Sequence, residues 1–122
     1  MTKIIPCIIG LGYVGLPIFL RLQKKFECIG YDIDKERIRK LKLKIDDNNE
    51  FNREDLIELN NSKLTNSQKL LKKSNFYIVT VPTPIYKNNK PNLEYLVSAS
   101  KLIAKNLKKN DIVFFESTVY PG

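Results

Sequence analysis

Histidine and tryptophan are missing from the 122 residues, cysteine occurs twice, methionine once and glycine five times. Without histidine, this chain can form neither a Ser-His-Asp triad nor a histidine-ligated metal centre. The two cysteines, Cys7 and Cys28, stand in the apolar runs KIIPCII and ECIGY, and their spacing fits neither a zinc ligand set nor a disulfide framework. They are expected to be buried core thiols, and no metal site is expected. Long hydrophobic runs are also absent. None approaches the ~18 residues that a membrane span requires. The N-terminal MTKIIPCIIG has too short an apolar part, and no small-residue cleavage site, for a secretion signal. A cytoplasmic protein with no membrane partner is expected. No short-period repeat and no low-complexity linker interrupts the chain.

Positive charge is abundant. Lysine and arginine number 21 against 13 acids, a formal charge of +8. The lysines are spread along the chain among asparagines, and no helix-turn-helix, zinc-finger or RNP-like pattern accompanies them. Most of the charge reads as solvated surface, part of which attracts an anionic ligand; nucleic acid is not an expected partner. The length suits a single domain, and 43% hydrophobic residues is ordinary for a globular one.

Periodicity orders the elements. Residues 3–9 are an apolar run that stops at Gly10, a buried strand. Residues 13–25 carry Val14, Leu16, Phe19, Leu20 and Leu22 at helical spacing and end in Lys24-Lys25. Pro17 falls near the first turn, where a helix tolerates it. Residues 27–32 return to strand character and end on Asp32. Residues 34–45 form an amphipathic helix with Ile38, Leu41 and Ile45 on one face. A polar stretch, 46–62, is a loop with a short helix near Arg53–Leu59. Leu64-Thr65 suits a brief strand and 67–72 a helical turn. Residues 75–81, NFYIVTV, are the clearest central strand, broken by Pro82-Thr83-Pro84. Residues 92–107 form a helix with Leu93, Leu96, Val97, Ser100, Ile103, Ala104 and Leu107 on its apolar face and Asn92 as N-cap. DIVFF, 111–115, is a final strand. Near-continuous apolar strands alternating with amphipathic helices imply α/β architecture: a Rossmann-like, doubly wound parallel sheet in three α/β/α layers.

The glycines are concentrated in one place. Gly10, Gly12 and Gly15 fall within six positions, between a strand and a helix. That context is what a bare G-x-G-x-x-G match needs to signal a dinucleotide loop. Gly10 permits the tight turn, Gly12 lets a pyrophosphate approach the backbone, and Gly15 lets the helix pack against the strand. The N–H groups of the first turn, from about Tyr13 and Val14, face the phosphates. The second strand ends on Asp32, 17 residues after Gly15. An acid there accepts both hydroxyls of an adenosine ribose and repels a 2′-phosphate, so NAD is favoured over NADP despite Arg37 and Arg39 nearby. A glycine turn used only for packing is the alternative; FAD and S-adenosylmethionine are minor ones. Ligands of a doubly wound sheet bind outside the C-terminal strand ends. Two more ends carry chemistry: Pro82-Thr83-Pro84 and Glu116-Ser117-Thr118. Either could also be ordinary turn composition.

Together, "IGLGYVGLP", "YDID", "VTVPTPI" and "ESTVYPG" resemble the N-terminal domain of the UDP-glucose/GDP-mannose dehydrogenase family, nearly end to end and in family order. The wording of the last two looks closest to bacterial UDP-N-acetylhexosamine 6-dehydrogenases of capsule and O-antigen synthesis. The resemblance implies an enzyme that oxidises a nucleotide-sugar C6 alcohol twice, to a carboxylate, reducing two NAD, with a cysteine thioester in the second step. By position, Gly10, Gly12, Tyr13, Val14 and Gly15 would hold the pyrophosphate. Asp32 would take the adenosine ribose with Arg37 beside it, and Pro82 and Thr83 would line the nicotinamide ribose. Ser117 and Thr118 would approach the reacting centre, Thr118 through a water. The family's nucleophilic cysteine and its lysine, asparagine and aspartate would lie downstream of Gly122. Residues 1–122 are therefore expected to be an NAD-binding domain cut after its fifth or sixth strand. The central helix, the UDP-sugar-binding domain and the homodimer contacts of the family would be missing. Such a piece is expected to bind NAD without turnover. A stand-alone NAD-binding module and the cofactor domain of another hydroxyacid-type dehydrogenase are the competing readings.

Overall fold

The computed structural model describes residues 3–116. Side-chain alternation in the first strand, β1 (Pro6–Ile9), sets the layering. Successive residues of a strand face opposite ways. Cys7 and Ile9 join one core cluster, with Tyr31, Tyr77, Val79 and Leu71. Ile8 joins another, with Leu16, Phe19, Ile38, Leu41 and Leu64. Both faces of the central strands are thus buried under apolar cover, as a parallel sheet requires, whereas the last strand of the sheet, 112–115, is largely exposed.

The remaining strands are β2 (Ile29–Tyr31), β3 (Leu64–Thr65), β4 (Phe76–Val79) and β5 (Ile112–Phe115), and the sheet order is β3-β2-β1-β4-β5. Every pairing is parallel, with Ile9 opposite both Tyr31 and Val79. Helices α1 (Gly15–Leu22) and α2 (Lys35–Lys42) contribute to the second cluster, and α3 (Glu94–Asn106) to the first. This is the expected three-layer, doubly wound arrangement. The strand order reverses between β1 and β4, the switch point where such sheets open a crevice at their carboxyl ends.

Local chemistry explains the helix limits. Asp34 caps α2 by accepting the Glu36 N–H at 3.0 Å, and Arg39, Lys40 and Lys42 occupy its last turn. At α3 the N-cap is Leu93 rather than the expected Asn92, one residue earlier, although Asn92 Oδ1 still accepts the Glu94 N–H at 2.9 Å.

Four other expectations need correction. Helix α1 stops at Leu22 rather than Lys25, because the following bonds tighten to the three-residue kind, Lys24 N–H to the Arg21 carbonyl (3.4 Å) and Lys25 N–H to the Leu22 carbonyl (3.0 Å). Residues 53–58 are successive turns, not a helix. Their backbone bonds are mostly of the tighter kind, as in Ile57 to Glu54 (3.4 Å) and Leu59 to Leu56 (3.0 Å). Ile45 is 48% exposed, since α2 has ended and Lys44 takes φ +65°; the buried partner of Ile38 and Leu41 is Arg37. Helix α3 buries Ala99, Leu102, Ile103 and Asn106, while Leu93, Val97 and Leu107 are about half exposed. That helix is apolar on more than one side, so spacing alone could not choose the face.

Candidate cofactor-binding site

At the end of β1 the Gly10 N–H donates to the Tyr31 carbonyl (2.8 Å) and the chain turns with Gly10 at φ +103°, a conformation that side-chain-bearing residues rarely adopt. A Cβ on Gly10 would also sit 3.1 Å from the Thr80 carbonyl. On Gly15, a Cβ would overlap the Gly10 carbonyl and lie 2.5 Å from Thr80 Oγ1. Gly12 is the opposite case: a Cβ there would meet nothing within 4 Å. Two of the loop glycines are thus required by the protein's own packing. The third faces open space, where an incoming group can touch bare backbone.

The first helical bond runs from the Leu16 N–H to the Gly12 carbonyl (3.1 Å). The N–H groups of Tyr13, Val14 and Gly15 come before it and have no carbonyl one turn back. Val14, at the N-cap, supplies no side-chain bond, and the first turn of α1 carries no acid. This end is therefore electropositive and uncapped, whereas α2 is capped by Asp34. Tyr13 is 65% and Val14 38% exposed.

Thr80 is a residue that the sequence reading passed over. It is buried just after β4, and its hydroxyl donates to the Gly10 carbonyl (2.5 Å), with the Ile9 carbonyl at 3.2 Å. It ties the glycine turn across the switch point to the neighbouring strand. The only signal in the sequence was a hydroxyl residue closing an apolar strand before a proline.

Asp32, half-buried at the end of β2, accepts the Leu11 N–H on Oδ2 (2.9 Å) and the Asp34 N–H on Oδ1 (2.9 Å). Its carboxylate is thereby fixed against the glycine loop. A carboxylate has about four acceptor sites, and these two bonds use half of them. It is thus equipped to accept from a pair of hydroxyls.

Arg37 is placed differently from the simple expectation of a cation beside Asp32. It is 6% exposed. Its Nε donates to the Leu11 carbonyl (2.7 Å), and its Nη1 to Asp46 (2.7 Å) and Asp47 (2.6 Å). Asp32 and Arg37 therefore grip the same residue, Leu11, one through its N–H and one through its carbonyl. Arg37 Nη2 is buried with no acceptor among the described residues. Burial opposes ionisation of Asp46, but the Arg37 guanidinium and the N–H groups of Phe51 and Asn48 outweigh it and hold its carboxyl below the usual range. Asp46 was read only as part of a polar loop; nothing in its spacing marked it.

Past β4, at the same end of the parallel strands as the glycine turn, Pro82 is exposed and Thr83 half-buried. The Glu116 N–H donates to the Val79 carbonyl (2.8 Å), which brings the end of β5 level with the end of β4. Ser117 and Thr118 lie outside the described residues. Cys7 and Cys28 are buried free thiols, as expected. Burial pushes both up, Cys28 to about 12, and neither is poised as a nucleophile. A surface groove of about 530 Å³, lined by Gln23, Phe26, Cys28 and Lys63 among others, lies at the opposite end of the strands and takes no part in this site.

The sequence profile described as the UDP-glucose/GDP-mannose dehydrogenase family, NAD binding domain, matches residues 3–122. The chain belongs to this family. Its cofactor is NAD. Among curated relatives, the UDP-N-acetyl-D-glucosamine 6-dehydrogenase of Salmonella typhi is 46% identical over 115 residues, covering 94% of this chain and 27% of the relative. The enzyme of the same name from Pseudomonas aeruginosa is 47% identical with the same coverage. Among solved structures, the UDP-D-ManNAc dehydrogenase of Pyrococcus horikoshii superposes with a TM-score of 0.80 at 31% identity, over 98% of this chain and 29% of that one. The chain thus spans little more than a quarter of the length of these relatives. Among the described residues, no helix is long and apolar enough to cross a membrane.

Proposed function

We propose that this chain is the cofactor half of a nucleotide-sugar 6-dehydrogenase that oxidises the C6 alcohol of a UDP-N-acetylhexosamine to the uronate with two NAD. The names of its relatives support the substrate class. The observation that carries the cofactor assignment is the Asp32 carboxylate, fixed 2.9 Å from the Leu11 N–H, beside a glycine with open space in front of it.

The residues present fit the cofactor. Gly10, Gly12 and Gly15 shape the turn, and the N–H groups of Tyr13 and Val14 meet the pyrophosphate. Asp32 accepts from the adenosine ribose, and Arg37, buried beside it, supports the loop through the Leu11 carbonyl. Pro82 and Thr83 border the nicotinamide side; the family resemblance assigns Ser117 and Thr118, outside the described residues, to the same role. NAD, when bound, supplies the hydride acceptor. The chain's own part is to bind and orient it. Tight packing of Gly10 and Gly15 under Thr80 keeps the turn in one conformation, which reduces the ordering cost of binding. Neither buried thiol serves as a thioester nucleophile, so residues 1–122 alone bind NAD without turning over UDP-sugar. In the whole protein, we place the sugar contacts and a homodimer interface outside this chain, and the product in capsule or O-antigen synthesis.

The test is NADH formation by the protein expressed from its native reading frame, offered UDP-N-acetylglucosamine, UDP-N-acetylgalactosamine, UDP-N-acetylmannosamine and UDP-glucose in turn. Two NADH per uronate from one of the acetylated sugars is the expected result. NADH formed only from a free hydroxy acid would contradict the proposal.

A further inference from the structure

We propose that Asp46, assisted by Asp47, is a cofactor-specificity residue. It holds the Arg37 guanidinium inward, so that this arginine cannot turn out to a 2′-phosphate, and it acts as a second barrier to NADP behind Asp32. The inference rests on the NAD site described above and adds to it.

An arginine close after the second strand is the residue that accommodates a 2′-phosphate in NADP-binding relatives of this fold. The chain has two in that region. Arg39 is exposed and forms a fork with Glu36 (2.8–3.2 Å) on the surface of α2, an arrangement that solvent screens. Arg37 is the nearer to Asp32, since both grip Leu11. The presence of Arg37 would thus argue for NADP if its guanidinium were available.

The structure shows what holds it. The side chain of Asp46 is completely buried, and each of its oxygens is occupied. Oδ1 accepts from Arg37 Nη1 (2.7 Å) and the Asn48 N–H (3.1 Å); Oδ2 accepts from the Glu50 and Phe51 N–H groups (both 3.0 Å). This carboxylate cannot follow the arginine if the arginine moves. Turning Arg37 outward would leave Asp46 as a buried, uncompensated charge, and the Leu11 carbonyl would lose its donor. Asp47 holds the same Nη1 at 2.6 Å and is bridged by Lys40 at 3.4 Å. Only Nη2 is left without a partner, and it is buried. Two carboxylates, Asp46 and Asp47, therefore hold the arginine that a 2′-phosphate would need, while Asp32 binds the N–H of the Leu11 whose carbonyl that arginine grips.

The barriers should act in series, which makes them separable by a double-mutant cycle. NAD and NADP affinities are measured by calorimetry on the wild-type chain, Asp32→Ala, Asp46→Asn and the double variant, with circular dichroism to confirm folding. Asp32→Ala alone is expected to weaken NAD without creating useful NADP binding, because Arg37 is still held. The double variant is expected to bind NADP at least about tenfold more tightly than Asp32→Ala, the scale of one released charge-assisted hydrogen bond. Adding Arg37→Ala should abolish that gain. Asp32→Ala/Asp47→Asn, which alters a half-exposed carboxylate, should gain in the same direction by less, and it carries the test if the buried substitution prevents folding. NADP binding by Asp32→Ala as tight as by the double variants, or a gain that survives Arg37→Ala, would overturn the inference while leaving the NAD site intact. A folded wild-type chain that binds neither dinucleotide would overturn both.

Discussion

Alanine at Gly12 and at Gly15 should have opposite consequences, although the two glycines are three positions apart in one loop. At Gly15 the new methyl would overlap the Gly10 carbonyl and crowd Thr80 Oγ1 at 2.5 Å. Backbone cannot move aside as a flexible side-chain tip can, so α1 must shift off the sheet. Overpacking of this severity costs about 3 kcal/mol or more. In a domain of this size that lowers the melting temperature by about 10 °C. At Gly12 the methyl meets no atom within 4 Å. Stability should change by no more than about 0.5 kcal/mol, and the restricted unfolded chain offers a slight gain. Binding is where Gly12→Ala should fail. The methyl occupies the approach to the Gly12 backbone, where a pyrophosphate makes its closest contact, so NAD affinity should fall at least about tenfold, or ~1.4 kcal/mol. Thermal melts followed by circular dichroism, and calorimetric titration of NAD into each variant, read the two effects separately. Unchanged NAD affinity in a folded Gly12→Ala protein would refute the phosphate path over Gly12. A Gly15→Ala protein that melts with the wild type would refute the packing argument.

Other consequences follow from the same contacts. Thr80→Val removes the hydroxyl bond to the Gly10 carbonyl and should cost about 1–2 kcal/mol, while Thr80→Ser should retain most of it, as denaturant melts of the two would reveal. The Asp46 carboxyl is held below its unfolded value, so its stabilising contribution is complete above the ordinary carboxylate range and is lost as pH falls through the lower, folded value. Stability measured from neutral to acidic pH should therefore drop on the acid side, and Asp46→Asn should flatten that drop while lowering stability at neutral pH by about 3 kcal/mol. Strand β5 ends the described sheet and leaves Ile112, Phe114 and Phe115 about half exposed. Sedimentation of this chain should show concentration-dependent association, reduced by Phe114→Lys.

The architecture was legible because its signals are local and redundant. Apolar runs, helical spacing and the strand-turn-helix context of Gly10–Gly15 each indicate the same parallel sheet. Asp32 was legible for the same reason: it stands at a fixed distance from the loop, at the end of an apolar run. What escaped depends on contacts between segments far apart in the chain. Thr80 reaches Gly10 only because β4 lies beside β1. Asp46 matters only because α2 carries Arg37 back over the glycine loop. Arginine within an amphipathic helix is ordinarily read as solvated, and a buried one is betrayed by its partners, not by its period. The face of α3 escaped for a related reason. Its apolar residues cover more than one side, and which side meets the sheet is decided by the neighbours.

The most direct test of the central claim is a calorimetric titration of NAD, with NADP beside it, into this chain and into Asp32→Ala. The account predicts that NAD binds, that NADP does not, and that Asp32→Ala loses most of the NAD affinity while still folded. Equal binding of NAD by the wild type and Asp32→Ala, or no binding of NAD by a folded wild-type chain at millimolar concentration, would contradict it.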